Sequence, residues 1–149
     1  MSKIIRLFKF FRMGAGDRHL LIMTLILLAT IRLGLWLMPF RTLLKLIAKI
    51  SRQSDRPQVT QVSVGKISWA VKAVSRYMPG VKCLARALTT QVVMSRYGYS
   101  CELRIGVAKG EKGILEAHAW IEHEGLIVMG YLADLSRFIP LPSLEGVKL

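Results

Sequence analysis

The hydrophobic period of this chain changes at Gly98, and that change limits the folds open to it. Upstream, apolar residues recur at helical spacing: Ile67, Val71, Val74 and Met78 in one run, then Leu84, Leu88 and Val92 in the next. Downstream, Glu102 to Val107 and Glu116 to His123 alternate between apolar and polar, as half-buried strands do. Helices followed by hairpin strands predict an α+β fold, with a small antiparallel sheet packed on helices. Gly98 itself is the expected helix stop, since glycine tolerates the left-handed conformation that closes a helix.

The second helical run starts at Cys83, just after the turn Pro79-Gly80-Val81-Lys82. Free backbone N–H groups and the positive end of the helix dipole favour a thiolate at such a place. The candidate base is His118, in Ala117-His118-Ala119-Trp120-Ile121-Glu122. On a strand, His118, Trp120 and Glu122 share one face, while Ala117, Ala119 and Ile121 share the other. A cysteine at a helix start and a histidine on a following strand form a nucleophile–base pair if the strand brings the imidazole to the helix end. The Cys83 backbone N–H is then the natural first donor to an oxyanion. The competing reading is packing: a lone cysteine in an apolar helix is more often core than nucleophile. Cys101, at a strand start, is read as structural.

A third residue usually orients the imidazole. If Glu124-Gly125 is a tight turn pairing His123 with Leu126, a regular register puts His118 opposite Tyr131, with Gly130 adjacent. No carboxylate stands there. Glu122 lies four residues along, some 13 Å away at about 3.3 Å per residue. Asp134, folding back over the strand end, is the chosen third member; a backbone carbonyl is the alternative. Arg137 to Leu141 is expected to add a short edge segment.

Charge separates the chain into two parts. Residues 1–56 hold 11 Lys/Arg and two Asp, for +9, and residues 57–149 carry +4 of the total +13. Residues 1–18 place Lys3, Arg6, Lys9, Arg12 and Arg18 among Ile4, Ile5, Leu7, Phe8, Phe10 and Phe11, a basic amphipathic helix or tail. Leu20 to Phe40 is apolar apart from Arg32, two threonines and Gly34. Twenty-one such residues could cross a bilayer core of roughly 30 Å. Arg32 near the middle argues against a lipid-facing span, at roughly 2.5–3.5 kcal/mol. Helices that dock on the rest of the protein, on a partner or on a membrane surface fit the same residues. No small-residue cleavage site follows, against a signal peptide. The polar, proline-bearing stretch 51–63 reads as a linker, dividing a helical region 1–56 from a domain 57–149.

Nucleic acid is not an expected partner, because no recognition motif accompanies the charge. Two cysteines make no disulfide framework and lack metal spacing, so no zinc or other cofactor is expected, and a reducing, cytoplasmic setting is.

Taken together, Pro79-Gly80-Val81-Lys82-Cys83-Leu84-Ala85-Arg86-Ala87-Leu88, Tyr97-Gly98-Tyr99, Leu103-Arg104-Ile105-Gly106-Val107 and Ala117-His118-Ala119-Trp120-Ile121-Glu122 resemble the leader peptidases of lasso-peptide biosynthesis. Those belong to the transglutaminase-like branch of papain-like cysteine proteases, and the likeness covers about residues 64–141. The resemblance implies a papain-like/transglutaminase-like core and a peptidase that removes the leader from a ribosomally made precursor, a step in antibiotic biosynthesis. It implies a leader-recognition protein and a lasso cyclase as partners, with the enzyme in the cytoplasm or at the inner face of the membrane. It also implies Cys83 as nucleophile and His118 as base. The family often carries an Asp twelve residues after the His, where this chain has Gly130. Two other functions remain: a transglutaminase-like amidase or acyltransferase with the same pair, and a non-enzymatic membrane-surface adaptor with an inert thiol.

Overall fold

A computed structural model of the chain describes residues 2–52, 62–78 and 80–141. Among these residues, five α-helices precede a four-stranded antiparallel sheet: α1 (Ser2–Arg12), α2 (Ala15–Leu37), α3 (Phe40–Arg52), α4 (Val64–Ser75) and α5 (Cys83–Arg96), then β1 (Glu102–Lys109), β2 (Leu115–His123), β3 (Leu126–Met129) and β4 (Ile139–Pro140). The fold is the expected α+β arrangement. The linker expected over residues 51–63 lies largely outside the described residues, as does Pro79.

Local chemistry sets the helix ends. Ser63 caps α4, its hydroxyl accepting from Lys66 N–H at 3.2 Å. Gly98, at φ +81°, closes α5. The Tyr99 N–H reaches the Met94 carbonyl at 2.9 Å and the Gly98 N–H reaches Ser95 at 3.1 Å, the doubled bond of a Schellman motif.

α5 is the central element. Ala85, Leu88 and Val92 face a cluster with Leu28 and Ile31 of α2 and Leu43 and Ile47 of α3. Ala87, Val93 and Met94 face a second cluster with Ile67, Ala70 and Val71 of α4 and Ala119, Ile121 and Met129 of the sheet. A helix covered on both sides has to be apolar or self-satisfied nearly all round. Accordingly, the buried Thr89 and Thr90 hydroxyls donate to the Ala85 and Arg86 carbonyls, at 2.7 and 2.8 Å. Fully burying a side chain such as Leu88 stabilises the fold by about 1.5–3 kcal/mol.

The sheet order is β3-β2-β1-β4. The β2–β3 turn uses Glu124 at φ +50° and Gly125 at φ +78°, which allows a two-residue hairpin. His123 pairs with Leu126 as expected, and Glu122 with Ile127, but Ile121 then pairs with Met129. Val128 is an extra residue, a β-bulge that a regular count from the turn cannot anticipate. β4 pairs with β1, Val107 opposite Ile139, so the expected edge segment closes the far side of the sheet.

Candidate active site

Cys83 is the first residue of α5, as its sequence position suggested. Lys82 precedes it in extended conformation and supplies no side-chain cap. The Arg86 N–H bonds the Lys82 carbonyl at 3.3 Å, so the amides of Cys83, Leu84 and Ala85 precede the first helical bond. Those amides can stabilise negative charge beside the sulfur. Cys83 is partly buried against the cluster that holds Ala87 and Ala119, and it is a free thiol.

β2 presents its two faces as the alternation foretold. Ala119 and Ile121 pack toward α4 and α5, while Trp120 packs with Ala108 and Phe138 on the other side. His118 stacks on Trp120 with centroids 6.3 Å apart and an interplanar angle of 17°, and its ring lies 5.7 Å from that of Phe138. Gly106, paired with His118 across the β1–β2 ladder, leaves room for these rings. A Cβ on Gly106 would come within 2.9 Å of the Trp120 indole and 3.0 Å of the Phe138 Cβ. Two aromatic side chains, Trp120 and Phe138, therefore fix the plane of the imidazole.

One hydrogen bond fixes its rotation. His118 Nε2 lies 2.7 Å from the Gly130 carbonyl oxygen. A carbonyl only accepts, so Nε2 carries the proton, and in the neutral ring the basic lone pair is on Nδ1. Gly130 reaches this place because its backbone is at φ +89° and passes very close to β2. A Cβ there would sit 2.7 Å from the Ala119 carbonyl oxygen and 2.9 Å from the Trp120 Cβ. Glycine is required at this position by both torsion and space.

Asp134 is placed differently from the expectation. Its carboxylate accepts from Arg137 Nε at 2.7 Å, and Arg137 also holds Glu116 at 2.6 Å. The Arg137 hydrogen bond keeps the Asp134 carboxyl below its ordinary range, and His118 contributes only a minor through-space part of that shift. Asp134 makes no hydrogen bond to the imidazole; the main chain at position 130 does. A backbone carbonyl was the alternative that the sequence left open, and the fold supplies it at Gly130. Glu122 is engaged elsewhere as well, accepting from Trp120 Nε1 at 2.9 Å.

The structure thus gathers His118, Trp120, Phe138 and Gly130 on the side of β2 turned away from α5, whereas Cys83 packs on the α5 side, so the fold does not place the expected nucleophile and base together. Among the described residues, no hydrogen bond joins the Cys83 sulfur to His118. Catalysis through this pair requires Nδ1 and sulfur to come within proton-transfer distance. A groove of about 560 Å³ runs alongside the helix start, between Arg32, Leu33 and Trp36 of α2 and the Gly80–Lys82 approach to Cys83. Among the described residues, no group of three or more His, Cys, Asp or Glu could hold a metal ion.

A family model described as Transglutaminase-like superfamily matches residues 25–143, well over half of the chain. No curated protein and no solved structure matches it.

Proposed function

The chain belongs to the transglutaminase-like superfamily, which includes cysteine peptidases and acyltransferases, and from that premise we propose a cysteine peptidase that removes the leader of a ribosomally made lasso-peptide precursor. The observation that supports the chemistry is the anchored imidazole: Gly130 accepts from Nε2–H, leaving Nδ1 as the basic nitrogen.

In this reading, substrate binding brings the start of α5 and the imidazole within proton-transfer distance, and His118 Nδ1 takes the Cys83 thiol proton. The thiolate attacks the carbonyl at the leader–core junction, and the oxyanion is met by the Cys83 backbone N–H. The imidazolium returns its proton to the leaving amine, the new core N-terminus. Water, deprotonated by His118, then hydrolyses the thioester and frees the leader carboxylate. The Gly130 carbonyl steadies the imidazolium by accepting from Nε2. Asp134 acts only as a nearby negative charge. The resemblance of the Cys83 and His118 segments to lasso leader peptidases supports the substrate class. It also supports a leader-recognition partner, and a cyclase that uses the freed amine.

The test is incubation of the full chain and a leader-binding protein with a precursor peptide, read by mass spectrometry. The expected products are free leader and a core bearing a free α-amine, lost with Cys83→Ala and retained with Cys101→Ala. Products in which an added amine replaces water would instead identify an acyltransferase. Turnover retained by Cys83→Ala would overturn both.

A further inference from the structure

α2 has the length and the mean hydropathy, 2.2, of a membrane span, yet the structure gives it two different faces. Leu20, Thr24, Leu28 and Ile31 form one, buried against α4 and α5. Thr24 even closes its own hydroxyl onto the Leu20 carbonyl at 2.7 Å. Gly34 lets α3 approach: a Cβ there would lie 2.9 Å from Leu43 Cδ1. A helix threaded through a bilayer would withdraw these residues from both clusters. The opposite face carries Ile22, Leu25, Ile26, Leu33 and Trp36, and Trp36 is 79% exposed. That spacing is one continuous apolar stripe.

α1 repeats the pattern in purer form. None of its described residues is buried, and Ile4, Leu7, Phe8 and Phe11 are all more than half exposed. Lys3, Arg6, Lys9 and Arg12 occupy the opposing side of the helix. α3 adds Arg41, Lys45 and Lys49, all exposed.

We infer that α1 and the outer face of α2 dock on the surface of an anionic phospholipid bilayer, lying in the headgroup plane without crossing it. Apolar stripes flanked by cations are complementary to acyl chains beneath phosphate groups. A protein partner would need both a broad apolar surface and a large acidic one. Arg32, exposed on α2 with its guanidinium beside Gly80 in the groove, adds a cation to the same side of the molecule. Trp36 suits the headgroup boundary, where an indole has one wet and one apolar edge. The groove beside Cys83 shares Leu33 and Trp36 with this face, so docking would hold the candidate site near the bilayer.

The experiment is flotation of the full chain with phosphatidylcholine vesicles, with and without phosphatidylglycerol. Binding to the anionic vesicles is expected to exceed that to phosphatidylcholine alone by about tenfold or more, and to fall as salt rises. Arg6→Glu with Lys9→Glu should lower it by about tenfold or more. Phe8→Ser with Phe11→Ser should lower it as well, and neither double variant touches the buried core. Equal binding to both vesicle types, no flotation, or indifference to both variants overturns the inference. So does flotation that survives alkaline carbonate extraction, which would mark a span, or flotation that needs a second protein. Flotation reads no turnover, so it stands or falls separately from the peptidase assignment.

Discussion

α2 and α5 are both largely apolar, but they are used differently. α5 is covered on both sides, by α2 and α3 on one and by α4 and the sheet on the other, and Leu88 and Met94 are wholly buried. α2 is covered on one side only: Leu28 is 0% exposed, while Ile26, two residues away, is 60% exposed. Composition hardly distinguishes the two situations, and position in the layer order does. A central helix must satisfy its polar atoms internally, as Thr89 and Thr90 do. An outer helix keeps a free face that can carry a second task.

The sharpest test of that contrast is at the start of α5. Cys83→Ala should lower turnover by roughly a thousandfold or more, as loss of a nucleophile does, with the thermal midpoint little changed. A large fall in stability instead would make Cys83 a packing residue. Next comes α2 itself. Leu28→Ala should cost about 2–5 kcal/mol in denaturant unfolding, whereas Ile26→Ala should cost about 0.5 kcal/mol or less. Equal costs would break the two-faced description. Gly130→Ala should cost about 1–3 kcal/mol, because the new Cβ meets the Ala119 carbonyl and φ is positive. It should also shift the acid limb of the pH–rate profile, since His118 loses its anchored geometry.

The smallest effect is expected at Asp134. Asp134→Asn should leave turnover at neutral pH within about threefold, because the pair it breaks with Arg137 is exposed. Its carboxyl is lowered from 3.8 in the folded chain, first by the Arg137 hydrogen bond. The stability it contributes is therefore present above the unfolded value and is lost as pH falls through the folded one. Wild type and variant should differ least in strong acid, measured by thermal midpoints between neutral pH and pH 3. A large loss of turnover in Asp134→Asn would return the orienting role to that carboxylate.

Much of the fold was legible in local signals. The 3.6 period marks α4, and Cys83 and Gly98 bracket α5. Glu124-Gly125 marks the β2–β3 turn, and alternation assigned both faces of β2. These features depend on residues within a turn or two of each other. Three others do not. The bulge at Val128 shifts the β2–β3 register, Phe138 arrives from beyond β3 to hold the imidazole, and the Gly130 carbonyl occupies the place assigned to Asp134. A main-chain oxygen has no residue signature, so only the path of the chain reveals it.

By itself, the order of residues determined the succession of helices and strands, the thiol at a helix start and the imidazole on a strand face. Each follows from backbone torsion preferences and the two side-chain periods, which act over a few residues. Tertiary structure alone decided which side of α2 is buried, where Asp134 points and which atom holds His118. Those outcomes depend on which surfaces meet across tens of residues, and packing and hydrogen-bond satisfaction select among them only once the layers are assembled.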